Sequence, residues 1–225
     1  MKYQHLAESV KFQYKEHKPI IVSHAPTLQL IGMGRSAAVF KIEHTEKVLK
    51  VFFPEFAHIA QEEASVYDLV HHLDYYPDMY ESGPNYIVID FIHGYTFFDC
   101  LTHGIPLSEK DIMEVDDALS LAREQGLNPS DIHLRNIILT PDHQIKVIDV
   151  ARFRQSKKCH QWEDLKKGFY YFYAKPFFPK KIPAKLLNSI AYFYKKLYRK
   201  EPLETSWRVY ARTGGIPDHG LHKDS

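Results

Sequence analysis

The chain lacks paired cysteines, a secretion signal and any long uncharged apolar run. Only two of its 225 residues are cysteine, Cys100 and Cys159, and their spacing fits neither a disulfide framework nor a metal site. The first fourteen residues contain no apolar stretch typical of a signal peptide. No apolar run is long enough to cross a bilayer. We therefore expect a protein without a transmembrane segment, in a reducing, cytoplasmic compartment.

The chain also lacks a large net charge of either sign, with +1 at pH 7, but its two halves differ. Residues 1–150 carry 12 Lys and Arg against 22 Asp and Glu, a net charge of −10. Residues 151–225 carry 17 against 6, a net charge of +11. Two interpretations stay open: the basic half faces an acidic partner or surface, or the two halves attract each other within the fold.

The first part of the chain is typical of a small β-rich lobe. We treat residues 1–25 as a peripheral N-terminal arm without clear periodicity. Short β-type runs alternate with turns over 27–53, and a helix is predicted over 62–73. An apolar run of buried-strand length follows at 86–92. This pattern predicts an N-lobe spanning 26–92.

A capped helix and a hairpin begin the second part. Ser108 with Asp111 three residues later resembles a capping box, and Gly126 is the expected C-terminal end of that helix. Strand signals at 137–139 and 145–148 flank a Pro-Asp turn of hairpin length. These signals predict one long helix followed by a short hairpin.

Beyond residue 160 the pattern is helical and rich in aromatic residues. We expect a reduced helical C-lobe over 93–212 and a flexible tail over 213–225. Together with the N-lobe, this predicts an α+β fold of two lobes within a domain of residues 26–212.

A glycine pair and a lysine point to a phosphate-binding site. Gly32 and Gly34 stand between two strand-like runs, where the missing Cβ atoms let the backbone approach phosphate oxygens. A plain hairpin turn is the alternative explanation. Lys50 follows 16 residues after Gly34 inside an apolar run. A lysine there is expected either at a sheet edge or directed at an anion in a cleft.

Three oxygen-bearing side chains form the second part of the candidate site. Asp131 and Asn136 lie five residues apart on a loop, and the hairpin that follows returns to Asp149. Hard oxygen ligands with one carboxylate free to accept a proton suit Mg²⁺ and a nucleophilic hydroxyl. Taken singly, each residue could equally make a local turn; the ordered series favours a catalytic site.

From about residue 30 to 164 the chain resembles the protein-kinase superfamily. It is most similar to the short bacterial serine/threonine kinases of the YrzF-like type, with kinship to the RIO and aminoglycoside-phosphotransferase branches. The resemblance implies a bilobal protein-kinase-like fold and ATP with Mg²⁺ as cofactors. It implies a nucleotide-binding set made of Gly32, Gly34, Ala37, Val39, Lys50 and the hinge residues Asp90 and Ile92.

The resemblance also implies roles in catalysis. Glu63 is the expected partner of Lys50, with Glu62 as the adjacent competitor. Asp131 corresponds to the catalytic-loop aspartate, and Asn136 and Asp149 correspond to the metal ligands. His133 occupies the position where many protein kinases carry lysine and the small-molecule kinase branches often carry histidine.

The chain departs from the kinase pattern in several places. Pro129-Ser130 replaces the usual His-Arg before the catalytic aspartate, and Val150-Ala151 replaces the Phe-Gly after the metal-binding aspartate. Only about a dozen residues separate Asp149 from Trp162, which leaves no room for a peptide-docking loop. These departures concern the protein substrate more than the binding of ATP and metal.

Aromatic and basic residues alternate over 169–199. They could stack on nucleic-acid bases or lie at a membrane surface; the alternative is a C-lobe core with lysines on its solvated face.

The expected activity is ATP- and Mg²⁺-dependent transfer of the γ-phosphate to a hydroxyl, as in a serine/threonine protein kinase. The acceptor is an unidentified protein or small molecule. Two alternatives remain open: a small-molecule or glycolipid kinase, and a non-catalytic nucleotide-binding pseudokinase scaffold.

Overall fold

The computed structural model of the chain describes residues 2–198. The predicted tail at 213–225 and the end of the predicted C-lobe beyond residue 198 lie outside the described residues. The strands are β1 Lys11–Lys15, β2 Lys18–Ser23, β3 Leu28–Met33, β4 Ala37–Ile42, β5 Lys47–Phe52, β6 Met79–Gly83, β7 Tyr86–Asp90, β8 Tyr95–Thr96, β9 Ile137–Leu139 and β10 Ile145–Val147. The helices are α1 Gln4–Ser9, α2 Ala57–Val70, α3 Phe97–His103, α4 Glu109–Glu124, α5 Gln161–Gly168 and α6 Ala184–Tyr198, with a short π-helical turn at Phe169–Tyr173.

A five-stranded antiparallel sheet forms the N-lobe, in the order β3-β4-β5-β7-β6. Side chains alternate between its two faces. Leu49 and Val51 of β5 point into the core under α1, whereas Val48 and Phe52 point into the core that contains α2. Lys50 shares the face of Val48 and Phe52 because it lies two residues from each. The alternation thus places this lysine in the centre of the sheet, facing α2.

Residues 2–23, within the predicted peripheral arm, contain α1 and the β1–β2 hairpin. Tyr3, Leu6, Ala7 and Val10 are buried against the outer face of the sheet. The backbone N–H of Tyr3 also donates to Glu81 at 3.0 Å. The apolar residues recur at i, i+3, i+4 and i+7, the spacing of one helix face. The polar residues between them make this periodicity weak in the sequence. The segment covers a sheet face that would otherwise be exposed.

The structure differs from the prediction at helix α2 and at strand β6. Helix α2 begins five residues earlier and ends three residues earlier than the predicted span of 62–73, because a 3₁₀ turn at Pro54–Phe56 leads directly into it. Strand β6 carried no clear pattern in the sequence, since only Gly83 is buried and the other four residues are partly or fully exposed without alternation.

The C-lobe elements follow the prediction closely. Ser108 Oγ accepts from the N–H of Asp111, whose carboxylate accepts from the N–H of Ser108, so the capping box is confirmed. Gly126 follows α4 with a φ of 76°, a conformation that favours glycine. β9 and β10 pair as the predicted hairpin, joined by β8 in a small sheet.

The two lobes confirm the α+β, kinase-like fold class, with a β-rich N-terminal part and a helical C-terminal part. Within residues 2–198, no helix combines the length and the apolar character needed to span a bilayer.

Candidate active site

Lys50 joins the two lobes through a pair of carboxylates. From the centre of β5, its Nζ donates to Glu63 Oε2 at 2.7 Å, to Glu63 Oε1 at 2.9 Å and to Asp149 Oδ1 at 2.9 Å. Glu63 is on α2, whereas Asp149 follows β10 in the C-lobe. Lys50 is 8% exposed and Glu63 is fully buried, so this ammonium is held away from water. Glu62, the alternative partner, is exposed.

The three charges shift one another's protonation. Burial alone would lower the pKa of Lys50, but Asp149 and Glu63 together hold it above its usual value. Burial raises the pKa of Glu63 to about 7, against the attraction of Lys50. Desolvation would also raise the pKa of Asp149, and Lys50 instead holds it below its usual range. The side chain of Asp149 is 43% exposed, so its carboxylate faces the cleft as well as the lysine.

Asp131 and Asp149 share a rare backbone conformation. Each has a φ of 62°, in the left-handed region that non-glycine residues seldom occupy. Such residues persist only where the surrounding structure holds them, and they cluster at functional sites. The loop after α4 and the end of the β9–β10 hairpin therefore each present an aspartate at a strained position.

Asn136 connects the loop after α4 to the β9–β10 hairpin. Its Nδ2 donates to the carbonyl oxygen of Asp131 at 3.2 Å. Its backbone carbonyl accepts from the N–H of Ile148, next to Asp149, at 2.9 Å. With the amide nitrogen engaged, the Oδ1 of this buried side chain is the atom that can ligate a cation. The loop and the hairpin thus bring Asp131, Asn136 and Asp149 into one region, together with Lys50.

His133 lies in the same loop, and its imidazole ring is neutral. Burial lowers its pKa, although Asp131 and Asp149 act in the opposite direction. Its Nδ1 accepts from the backbone N–H of Arg135 at 3.3 Å, which assigns the proton of the neutral ring to Nε2. His133 can therefore donate a hydrogen bond to an anion without itself carrying a charge.

Two arginines at the site were missed by the sequence reasoning. Arg152 Nε is 3.3 Å from Asp131 Oδ2, and both side chains are about one-third exposed. Arg35, on the tip of the β3–β4 hairpin, is close enough to Asp149 to lower the pKa of that carboxyl. A spacing rule cannot find either residue, because turn and loop arginines are common. The sequence offered only their positions as a signal: Arg35 stands beside Gly34, and Arg152 comes shortly after Asp149.

The glycine hairpin is open on one side. A Cβ on Gly32 would meet only the Cβ of Val39, at 3.8 Å. The N–H of Gly34 donates to the carbonyl of Ala37 at 2.8 Å and closes the turn. The β3–β4 pairing also slips between Leu30 and Gly32. The protein therefore leaves space beside Gly32 for a ligand to approach the backbone.

The segment expected to be the hinge follows β7. The Asp90 carboxylate accepts from Tyr80 Oη at 2.6 Å and from the Asp78 N–H at 2.8 Å, so this side chain has a structural role. The backbone N–H of Asp90 donates to Asp78 and that of Phe91 to Glu46, each at 3.0 Å. The N–H of Ile92 is the next donor along the chain.

The donor set suits Mg²⁺ better than a protein-only metal centre. Among residues 2–198 no group of three His, Cys, Asp or Glu side chains is placed to hold a metal. Asp149 and Asn136 offer two hard oxygen donors beside a cleft. Mg²⁺ is commonly held by one or two such ligands, with water and substrate phosphates completing its coordination.

No protein-family model matches the chain. A curated protein of Bacillus subtilis (strain 168), named "Putative serine/threonine-protein kinase YrzF", is 47% identical over 208 residues. The alignment covers 92% of this chain and 97% of that relative. Identity of this extent across nearly the whole of both chains shows shared ancestry and a shared fold. The chain therefore belongs to the family of the Bacillus subtilis protein named "Putative serine/threonine-protein kinase YrzF".

Proposed function

We propose that the protein is an ATP- and Mg²⁺-dependent kinase that transfers the γ-phosphate to a hydroxyl group. The observation that carries this proposal is the buried Lys50, bonded at once to Glu63 of the N-lobe and to Asp149 of the C-lobe. A lysine with two carboxylates, beside a glycine hairpin, is the arrangement that positions the phosphates of a nucleotide in kinases. Kinship with the YrzF kinase supports the same activity.

The nucleotide would occupy the cleft under the β3–β4 hairpin. The backbone at Gly32 and Gly34 would cover the phosphates, and Lys50 would contact the α- and β-phosphates from below. Ala37 and Val39 of β4 would line the ribose and base. The carbonyl of Asp90 and the N–H of Ile92 would hydrogen-bond the base through the backbone.

Asp149 and Asn136 would hold Mg²⁺ with their free oxygen atoms. When bound, the ion neutralises charge on the β- and γ-phosphates. The lowered pKa of Asp149 keeps its carboxylate ionised at neutral pH, which is the form that a metal ligand requires.

Asp131 would orient the acceptor hydroxyl and take its proton. The hydroxyl oxygen forms a new bond to the γ-phosphorus as the bridging bond between the γ- and β-phosphates breaks, which releases ADP. The hydroxyl proton moves to the Asp131 carboxylate. Nε2–H of His133 would donate to an oxygen of the transferring phosphoryl group, in the place where a lysine stands in many protein kinases.

The acceptor favoured by the name of the relative is a serine or threonine of a protein. A small-molecule or glycolipid hydroxyl is the second candidate. His133 favours it, and so does the kinship to the RIO and aminoglycoside-phosphotransferase branches that this histidine suggests. The short connection from Asp149 to α5, which begins at Gln161, leaves little chain for docking a peptide.

A nucleotide-binding scaffold is the third candidate, and Arg152 is the observation that favours it. Its guanidinium lies on the Asp131 carboxylate, the group that must be free to accept a proton.

Binding and transfer are tested separately. Millimolar ATP with Mg²⁺ should raise the melting temperature of the wild-type chain by mass action, and Asp149→Ala should remove the Mg²⁺-dependent part of that rise. An unchanged melting curve would exclude both the kinase and the scaffold. Turnover of γ-labelled ATP with protein and small-molecule acceptors then distinguishes them, since a scaffold binds ATP without transferring phosphate.

A further inference from the structure

Helix α6 carries an exposed apolar stripe that the proposed activity does not use. The stripe consists of Leu186, Ile190, Phe193 and Leu197, which are 52%, 56%, 59% and 79% exposed. These positions are i, i+4, i+7 and i+11, so at 100° per residue they fall within an arc of about 60°. Isolated apolar residues on a surface are ordinary, but a contiguous row marks an interaction site.

The opposite side of α6 is fixed to the catalytic lobe. Leu187 is buried in the main core. Asn188 Oδ1 accepts from Arg135 Nη2 at 2.9 Å, and Tyr194 Oη donates to Asp164 at 2.9 Å. The orientation of the helix is thus set from within, and the stripe faces outward because the inner contacts leave it there.

The charge around the stripe has one sign. Residues 165–198 contain eight lysines and no arginine, aspartate or glutamate. Lys185 and Lys196 are exposed and lie about 60–80° around the helix from Phe193, on the flank of the stripe. Four exposed aromatic side chains precede the helix, at Tyr170, Tyr171, Phe172 and Phe177. An apolar row bordered by lysines is complementary to a surface that is negative outside and apolar beneath.

We propose that α6 is an interfacial helix that binds the protein to anionic lipid membranes. In this arrangement the stripe is buried at the boundary of headgroups and acyl chains, and the lysines contact the anionic headgroups. The helix lies on the membrane and does not cross it. Arg135 belongs to the catalytic loop, so the bound helix holds that loop within about one helix diameter, roughly 10 Å, of the surface.

The composition of the surface favours a membrane over nucleic acid. Phosphate recognition in nucleic acids relies heavily on arginine, and single strands are bound by stacked aromatic rings. Within residues 165–198 the cations are all lysine, and three of the four stripe residues are aliphatic. Aliphatic side chains have no stacking partner in a base but transfer favourably into an acyl layer.

The test is flotation of the full chain with vesicles of phosphatidylcholine alone or of equal parts phosphatidylcholine and phosphatidylglycerol. We expect binding to the anionic vesicles only, weakened by added salt. Ile190→Ser with Phe193→Ser should lower the partition coefficient at least about tenfold. Lys185→Gln with Lys196→Gln should lower it about 30-fold, because each lysine near an anionic surface contributes roughly a factor of five.

Matched controls alter equally exposed residues elsewhere. Ile20→Ser with Val22→Ser removes two exposed apolar side chains from β2, and Lys11→Gln with Lys18→Gln removes two exposed lysines from the N-terminal hairpin. These variants should bind vesicles as the wild type does. Melting curves check that every variant is folded.

Several outcomes would overturn the proposal. They are absence of binding to anionic vesicles, equal losses in the control variants, and binding that requires removal of residues 199–225. Vesicle binding abolished by a single-stranded oligonucleotide or by polyglutamate would assign the surface to nucleic acid or to an acidic protein. Concentration-dependent dimers that the Ile190→Ser, Phe193→Ser variant loses, without vesicle binding, would assign it to a second copy.

Discussion

The two aspartates of the candidate site, Asp131 and Asp149, share a left-handed backbone conformation but differ in the cation that each contacts. Asp149 accepts from Lys50, which is 8% exposed and is held in turn by the fully buried Glu63. Asp131 contacts Arg152 at 3.3 Å, and the side chains of that pair are 32% and 31% exposed. The two aspartates thus differ in the burial of their cations: Lys50 is buried between the lobes, and Arg152 is about one-third exposed at the rim. The Asp149 side chain itself is 43% exposed, so it faces the cleft as Asp131 does.

The two charge pairs are expected to contribute differently to stability and to the proposed reaction. Breaking a buried charge network leaves an uncompensated charge and is strongly destabilising. Breaking a partly exposed pair changes stability by about 0–1 kcal/mol. Asp149 is therefore expected to affect stability and function together, whereas Asp131 can exchange partners while the fold is unchanged. The proposed role of Asp131, to orient an acceptor hydroxyl, requires that freedom.

The largest effect is expected from Lys50→Ala. The substitution leaves Glu63 buried without its cation, so the free energy of unfolding should fall by about 3–5 kcal/mol, and stabilisation by ATP should vanish. Urea unfolding and melting curves with and without ATP measure both. Lys50→Met with Glu63→Leu should recover much of the stability but not the response to ATP. A loss under about 1 kcal/mol would show that the pair of Lys50 and Glu63 is not the buried one described here.

Asp131→Asn should have the second largest effect, confined to catalysis. The amide keeps the shape but cannot take the proton, so transfer of labelled phosphate should fall by a factor on the order of a hundred or more. Stability should change by no more than about 1 kcal/mol, and ATP should still raise the melting temperature. Asp117→Asn, an exposed aspartate on α4, is the control. Equal transfer by Asp131→Asn and the wild type would remove this residue from catalysis.

The pH dependence of stability should report on Glu63. Its pKa is raised from 4.5 to about 7 in the folded chain, so the folded state binds a proton that the unfolded state has released. The stability contributed by this proton is complete below pH 4.5 and is lost as pH rises through 7. Wild-type stability should therefore fall from about pH 5 to 8 relative to Glu63→Gln, by on the order of 1 kcal/mol or more.

Urea unfolding of both chains across this pH range measures the difference, in which the histidines cancel because both chains contain them. Asp149 acts in the opposite direction only at lower pH, since its pKa is lowered. Parallel stability curves for the two chains would mean that Glu63 stays ionised throughout. The attraction of Lys50 would then outweigh the effect of burial on the pKa of Glu63.

The two aspartates also show how much of the candidate site could be predicted from the sequence alone. The spacing within 131–149 predicts Asp131, Asn136 and Asp149 as candidate site residues, and the apolar run around Lys50 predicts the lysine. All four lie on short local elements with clear patterns. Their proposed roles stay predictions. Arg152 could not be nominated, since its contact with Asp131 depends on the path of the segment after Asp149. No periodicity encodes that path.

The N-terminal segment shows the opposite case. The spacing of Tyr3, Leu6, Ala7 and Val10 was present in the sequence but was diluted by charged neighbours. Its significance depends on the outer face of the sheet, which only the assembled fold reveals. Local patterns thus predicted the elements and the candidate site, and long-range packing decided what covers the sheet and what contacts Asp131.

Arg152→Gln should have the smallest effect and tests the comparison most directly. Because the pair is about one-third exposed, stability should stay within about 1 kcal/mol of the wild type. The freed Asp131 carboxylate no longer has to exchange the guanidinium for a hydroxyl, so transfer should rise by no more than a few-fold. Arg154→Gln, an exposed arginine two residues on, should leave both quantities unchanged. Initial rates with labelled ATP measure the effect. A loss as large as that of Asp131→Asn would instead make Arg152 a functional part of the site. The two aspartates would then differ in the burial of their cations but not in their dependence on a fixed cation.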